Sequence, residues 1–212
     1  MIYNYTIYQI GIRIFWIFGF TITFLFQKLE LHRLINLYHT KVLDSIAKYI
    51  THIGDGLFFI LIIVFSLLFS LKKSLLLFIT FIVTAGITQF LKRGVFPNVM
   101  RPMHFFQNDV NFHKIENFTY HFNNSFPSGH ATSCFALFTL LAIFSSNNKL
   151  FQIIFLFSAL LISFTRVYLS QHFFQDILAG SIIGTFVAEY TSKYFNTILN
   201  KWDYPIHKKI KK

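Results

Sequence analysis

Six apolar stretches, separated by short polar segments, dominate this sequence of 212 residues. A membrane-spanning helix needs roughly 20 mainly apolar residues, and all the stretches except a shorter fourth one come close to that length. The chain is 54% hydrophobic and 20% aromatic, which is more than a soluble domain of this size hides in one core. The predicted spans are Tyr8–Phe26, Ile53–Leu71, Ser74–Leu91, Ala131–Ser145, Leu150–Tyr168 and Ile177–Phe195. We therefore predict an all-α, polytopic membrane helix bundle of about six transmembrane helices.

The charges in the short connections predict its orientation. Lys72-Lys73, Lys149 and the basic tail 201–212 all fall on one side, which the positive-inside rule makes cytoplasmic. Both termini are then cytoplasmic, and the outer side is extracytoplasmic. The first run has Arg13 inside it and no small-residue cleavage site after it, so we expect it to be retained rather than removed as a signal peptide.

No repeat, linker or low-complexity tract divides the chain. We predict a single integral-membrane domain over residues 1–212, with its motifs between 92 and 176. We expect a multi-pass protein of the cell membrane, and of a bacterial inner membrane in particular. Residues 28–53 have apolar side chains at helical spacing and are predicted to lie along the membrane interface.

The formal net charge of +11 does not indicate nucleic-acid binding. Lysines and arginines lie at the ends of apolar runs rather than on one continuous basic face, which favours contact with an anionic lipid bilayer. Cys134 is the only cysteine, so the sequence has no disulfide framework and no thiol-based metal site. Neither composition nor pattern indicates the oligomeric state.

Polar groups gather at three helix ends that the predicted topology brings to the outer side. Each group alone has an ordinary explanation, such as a headgroup anchor, an interfacial histidine or a helix cap. Together, several cations and two histidines at one membrane surface predict a phosphate-binding site. The groups are Lys92-Arg93, Arg101, Ser128–His130, Arg166, and His172 with Asp176.

The spacing of His172 and Asp176 suggests a functional pair. Four residues apart, they share a face if a helix has already begun, and the carboxylate can then orient the imidazole. The pair is also compatible with half of a metal site, but the neighbouring cations and the lack of a carboxylate cluster on the outer face argue against a metal. At "PSGH", Ser128 and Gly129 would present a hydroxyl and backbone amides at a helix N-terminus, where phosphate oxygens bind favourably.

These motifs resemble the three-part signature of the type 2 phosphatidic acid phosphatase superfamily, which also includes soluble acid phosphatases and vanadium haloperoxidases. The signature is a basic residue before "RP", then "PSGH", then "R-x5-H-x3-D", and the match runs from Lys92 to Asp176. The resemblance implies a membrane-embedded phosphatase, with its active site at the outer face, that hydrolyses a phosphate ester or pyrophosphate through a phosphohistidine, without metal or cofactor.

Matching positions carry the family's residue roles over to this chain. The resemblance implies that His172 is the nucleophile, that Asp176 orients it and that His130 protonates the leaving oxygen. It also implies phosphate binding by Lys92, Arg101, Ser128, Gly129 and Arg166.

Two departures from the family pattern are visible. Eight residues separate Lys92 from Arg101, where six are usual, so Lys92 or Arg93 can be the ligand and the intervening loop must bulge. Thr165 replaces the usual serine before Arg166 and keeps the hydroxyl.

An outer site at headgroup level suits a lipid whose tail stays in the bilayer. The substrates considered are undecaprenyl pyrophosphate, lipid A phosphate groups, phosphatidylglycerol phosphate and phosphatidic acid. The loop 103–126, with His104, His113 and His121, is expected to influence headgroup choice. Two alternatives remain open at this point: a non-catalytic lipid-phosphate transporter or binding protein, and a vanadate-dependent peroxidase.

Overall fold

The computed structural model describes residues 5–205, and all regular structure within that range is helical. The predicted all-α fold class is confirmed. Most of the predicted basic tail, residues 206–212, lies outside the described residues. The α-helices are α1 Thr6–Leu25, α2 Lys28–Asn36, α3 Lys41–Ile50, α4 Gly56–Ser66, α5 Leu71–Phe90, α6 Pro102–Phe106, α7 Gly129–Phe144, α8 Lys149–Tyr168 and α9 Phe174–Ile198. Short 3-10 turns span Thr51–Gly54 and Asn200–Trp202, and a π-helical turn spans Leu91–Val95.

Three of these helices are long and apolar enough to cross a membrane within the described part of the chain. They are α1, α8, and α5 together with the π turn that follows it; a fourth span results if α3, its 3-10 turn and α4, which are bent by 53°, count as one. The central helix α7 is apolar but has only 16 residues, as its short sequence run suggests. Helix α9 has 25 residues and covers the sixth predicted run.

The second predicted span is wrong at both ends. Its helix, α4, covers only Gly56–Ser66, because the chain turns sharply at Asp55. Leu71 already belongs to α5, and Lys72-Lys73 lie in its first turn rather than in a loop, since the hydroxyl of Ser70 caps the Lys73 amide at 3.2 Å.

The segment predicted as an amphipathic interfacial stretch forms two helices, α2 and α3. They are separated because Thr40 adopts an extended conformation and caps α3 through a hydrogen bond from the Leu43 amide.

Helix α7 forms the centre of the bundle and packs against α5, α8 and α9. Two glycines allow its close approach to α9, as the small-residue spacing predicts. A Cβ on Gly184 would lie 2.3 Å from the carbonyl oxygen of Thr132, and one on Gly180 would lie 2.8 Å from that of Ser128. This contact holds the first turn of α7 against the first turn of α9, and both turns carry motif residues.

Candidate active site

All the residues that the motifs single out lie at one end of the bundle. Lys92 follows α5, Ser128 caps α7, Arg166 lies in the last turn of α8, and the first turn of α9 carries Asp176. Arg101 immediately precedes α6. Helix ends from distant parts of the sequence therefore meet, as the alternating direction of the helices requires.

His172 and Asp176 are in contact, although His172 lies before the helix begins. Helix α9 starts at Phe174, and Asp176, in its first turn, reaches back so that its Oδ2 lies 3.3 Å from His172 Nδ1. The same oxygen accepts hydrogen bonds from the Phe173 amide at 2.9 Å and the Ser125 hydroxyl at 2.5 Å. Since Nδ1 is engaged by the carboxylate, Nε2 is the ring nitrogen left for chemistry.

The surroundings of His172 favour its neutral form. Its side chain is almost fully buried, and burial lowers its pKa well below the usual histidine value. Arg101, Lys92 and Arg166 lower the pKa further, because they repel a second positive charge. A neutral imidazole has a lone pair available at neutral pH, which a nucleophile needs.

Three cations surround this pair without a carboxylate partner of their own. No ion pair involves Lys92, Arg101 or Arg166 within residues 5–205. Arg166 donates from Nη1 to the Thr51 hydroxyl at 2.9 Å, while its buried Nε has no hydrogen-bond partner in the described structure. Buried cations without a counter-ion are costly, so this arrangement favours binding of an anion.

Lys92 faces the site and Arg93 faces away from it. The Lys92 side chain is buried, and its Nζ donates to the Asn124 carbonyl oxygen at 2.8 Å, whereas Arg93 is exposed. Arg101 reaches the same carbonyl oxygen from Nη2 at 3.4 Å. Eight residues separate Lys92 from Arg101, two more than the family pattern has. The π-helical turn Leu91–Val95 and Asn98, which adopts a positive φ of 65°, accommodate the longer connection.

The "PSGH" segment forms the N-terminus of α7. The Ser128 hydroxyl accepts a hydrogen bond from the Ala131 amide at 3.4 Å, so it is a helix cap, and the Ser128 amide donates to the Asp176 carbonyl oxygen at 3.0 Å. Gly129 and His130 are the next two residues, and their amides belong to the first turn, where an α-helix offers no carbonyl partner. These amides are suited to hold an anion.

The sequence analysis missed one carboxylate at the site, Asp55. Its Oδ1 lies 2.5 Å from His130 Nε2, and its Oδ2 lies 2.8 Å from His52 Nδ1. The signal was present, since an acidic residue inside a predicted apolar span is rare and usually has a functional or structural partner. Asp55 lies in the second predicted run, far in sequence from the three motifs, so the motif pattern does not include it.

The loop 103–126 is anchored to the interfacial helices. His113 pairs with Asp44 at 2.9 Å through Nε2, and its amide donates to Asn36 Oδ1 at 2.9 Å. His104 and His121 are exposed. Partial desolvation and the positive charges of Arg101 and Arg166 lower the pKa of His121.

A further buried histidine, His32 of α2, bonds through Nε2 with the Ser170 hydroxyl at 3.0 Å and packs on Phe173. His32 therefore supports the turn that carries His172.

Comparison with known proteins identifies related families and folds. The model of the PAP2 superfamily matches residues 73–199. The chain is 39% identical over 85 residues to "Lipid phosphate phosphatase 1" of Arabidopsis thaliana, which is 34% of this chain and 26% of that protein. It is 34% identical over 112 residues to "Probable lipid phosphate phosphatase 4" of the same plant, which is 47% of this chain and 36% of that protein. The matched regions thus span about a quarter and about a third of these two relatives.

Two crystal structures have a similar fold. LpxE of Aquifex aeolicus matches with a TM-score of 0.65 and 28% identity, over 79% of this chain and 95% of that one. A transmembrane PAP2-type phosphatidylglycerolphosphate phosphatase of Bacillus subtilis matches with a TM-score of 0.66 and 20% identity, over 93% of this chain and 98% of that one. The latter likeness concerns the fold alone. In both comparisons the matched region covers most of this chain and nearly all of the neighbour.

Proposed function

The chain belongs to the PAP2 superfamily, and from this premise we propose that it is a membrane-embedded lipid phosphatase. Its reaction is hydrolysis of a phosphate monoester or pyrophosphate carried by a lipid. The observation that carries the proposal is a group of three cations around the buried His172–Asp176 pair, Lys92, Arg101 and Arg166, which form no ion pair with any residue between 5 and 205. Undecaprenyl pyrophosphate, lipid A phosphate groups, phosphatidylglycerol phosphate and phosphatidic acid are the substrates to be tested.

The phosphate group is held by the three cations and by the N-terminus of α7. The amides of Gly129 and His130 point from a helix end whose dipole favours negative charge. Ser128 keeps its own hydroxyl hydrogen for a phosphate oxygen while its oxygen caps the helix. Fixed donors in a partly dry pocket stabilise the charge that develops on the phosphoryl oxygens in the transition state. Together they lower the activation free energy by roughly several kcal/mol.

Catalysis then proceeds in two displacements. In the first, Nε2 of His172 forms a bond to phosphorus as the bond to the leaving oxygen breaks, and His130 donates a proton to that oxygen. In the second, His130 removes a proton from a water molecule, whose oxygen attacks phosphorus and releases His172 and inorganic phosphate. Asp176 stabilises the positive charge on the His172 ring while the phosphohistidine exists.

We propose that this reaction requires no metal ion. The three cations supply the positive charge that a metal ion supplies in other phosphatases. The carboxylates near the site are each engaged by a histidine, Asp176 by His172 and Asp55 by His130. The expected cofactor requirement is therefore none.

The active site faces the extracytoplasmic side in this proposal, and both termini are cytoplasmic. This orientation is proposed because Lys72, Lys73 and Lys149 lie at the end of the bundle opposite His172, and positively charged connections favour the cytoplasmic side. In a Cys134→Ser background, a cysteine at Asn123 should react with a membrane-impermeant maleimide in intact cells, and one at Lys149 should not. The opposite pattern would invert the assigned orientation.

Purified protein is expected to release inorganic phosphate from at least one of the four candidate lipids in the presence of EDTA. Orthovanadate should inhibit this release, because it mimics the five-coordinate transition state. Activity that disappears on chelation and returns with magnesium or zinc would contradict metal independence. A folded protein that binds these lipids but hydrolyses none of them would instead favour a binding protein or transporter.

Lys92→Ala is expected to lower kcat/KM for the best lipid by about 10²-fold or more, because it removes a buried charge-assisted phosphate contact. Arg93→Ala is the matched control, since the neighbouring cation is exposed and should cost less than about threefold. Steady-state kinetics in detergent micelles measure both. A larger effect of Arg93→Ala than of Lys92→Ala would show that Arg93, and not Lys92, contacts the phosphate.

A further inference from the structure

Asp55 lies at the turn between the 3-10 turn Thr51–Gly54 and α4, and it connects two histidines. His130 Nε2 lies 2.5 Å from Asp55 Oδ1, and His52 Nδ1 lies 2.8 Å from Oδ2. A Cβ added at the adjacent Gly54 would lie 3.5 Å from Cδ2 of the His130 ring, so the backbone passes close to this histidine. The segment therefore contacts His130 through the Asp55 carboxylate and leaves little space beside the ring.

This contact determines which nitrogen of His130 can exchange a proton with substrate. An ionised carboxylate only accepts hydrogen bonds, so His130 Nε2 carries a hydrogen and donates it to Asp55. Nδ1 is then the nitrogen that gives a proton to the leaving oxygen and later takes one from water. His172 is oriented in the opposite sense, since its Nδ1 is engaged by Asp176 and its Nε2 is left for phosphorus.

Asp55 also favours the protonated form of His130, against other groups that disfavour it. Burial lowers the pKa of His130, and the positive charges of Arg166, at the end of α8, and Arg101, before α6, lower it further. Asp55, at the start of α4, acts in the other direction, and His52 competes for the same carboxylate. A general acid must hold a proton before the reaction, so a site rich in cations needs such a carboxylate near its acid.

We propose that Asp55 is a positioning residue for the general acid: it holds His130 in the orientation that presents Nδ1 to the leaving oxygen and stabilises the protonated ring. This inference rests on the proposed phosphatase function. The site then contains two histidine–carboxylate pairs with different tasks, His172–Asp176 for attack on phosphorus and His130–Asp55 for proton transfer. His52, whose side chain is 73% exposed, modulates the second pair from the surface.

The test compares Asp55→Asn with wild-type protein on two substrates, a lipid alkyl phosphate and an activated aryl phosphate. For the alkyl substrate, whose leaving oxygen needs a proton, kcat should fall by about 10-fold to 100-fold. For the aryl substrate, whose leaving group departs unaided, kcat should change less than about threefold while phosphohistidine formation limits the rate. The alkaline limb of the kcat–pH profile for the alkyl substrate should move to lower pH, because the acid loses its proton more readily.

Asp44→Asn is the matched control, since Asp44 also pairs with a histidine, His113, at 2.9 Å, but in the interfacial region rather than at the site. It should leave the pH profile of kcat unchanged. Asp55→Glu, which retains the charge, should recover much of the wild-type pH profile and guards against a folding defect in Asp55→Asn.

Equal loss on both substrates without a shift of the pH profile would overturn the proposal and leave Asp55 with a structural role. Asp55→Asn kinetics identical to wild type would overturn it as well. Wild-type protein that hydrolyses neither substrate nor any candidate lipid would count against the phosphatase function itself, which is a separate outcome.

Discussion

His172→Ala is expected to reduce phosphate release by at least about 10⁴-fold on every substrate, including activated aryl phosphates. His130 is not expected to replace it, because His130 Nε2 is held by Asp55 and the ring serves proton transfer in the mechanism. The loss should be independent of the leaving group, since formation of the phosphohistidine precedes every later step. Malachite-green detection of phosphate under saturating substrate measures the effect.

A trapping experiment distinguishes loss of the nucleophile from loss of the fold. Wild-type protein mixed with a ³²P-labelled substrate and quenched in alkali should carry label that is stable to base and labile to acid, as phosphohistidine is. His172→Ala should carry none. His113→Ala is the matched control, because this histidine pairs with Asp44 outside the cation cluster and should label normally. Label on a His172→Ala protein, or substantial turnover by it, would refute the assignment of the nucleophile.

His130→Ala is expected to separate two classes of substrate. With alkyl lipid phosphates kcat should fall by about 10²-fold to 10⁴-fold, the range typical for removal of a general acid–base group. With an activated aryl phosphate the first displacement should be spared, so an initial burst of the phenol should persist. The slower second step, which needs His130 as a base, should then limit turnover and allow phosphohistidine to accumulate.

Rapid-quench measurement of the burst and of the trapped phosphoenzyme tests this expectation. Gly129 lies beside His130 at the N-terminus of α7, so Gly129→Ala is a comparison that leaves both histidines in place. The added Cβ would lie 3.6 Å from the Thr88 methyl group, an ordinary van der Waals contact. That variant should weaken substrate binding or turnover to a similar degree for both substrate classes. A His130→Ala protein whose losses on alkyl and aryl phosphates were also equal, with no accumulated phosphoenzyme, would not fit a role in proton transfer.

The local sequence determined much of the helical framework. Apolar runs of sufficient length predict helices because a buried or lipid-facing backbone must satisfy its hydrogen bonds internally. Ser70, Ser128 and Asn148 then cap helices through amides three residues further along. The second span was predicted poorly, because hydropathy alone did not detect the turn at Asp55.

The motifs singled out the candidate site because their residue types and spacing are suited to phosphate chemistry. His172 and Asp176 are four residues apart, so their contact is local, and the family signature singled out the same pair. The grouping of Lys92, Arg101 and Arg166 at one end followed from the alternating direction of the predicted helices. These predictions needed only short-range pattern and the order of the runs.

Tertiary structure decided the contacts between residues distant in sequence. Asp55 and His130 are 75 positions apart and meet at 2.5 Å because α4 and α7 begin at the same end of the bundle. Which of Lys92 and Arg93 points into the bundle depends on how the π-helical turn rotates adjacent side chains, and the hydrogen bond from Lys92 to the Asn124 carbonyl oxygen shows that it is Lys92. Local pattern specifies which groups are available, but the angle at which helices pack determines which of them point at a common centre.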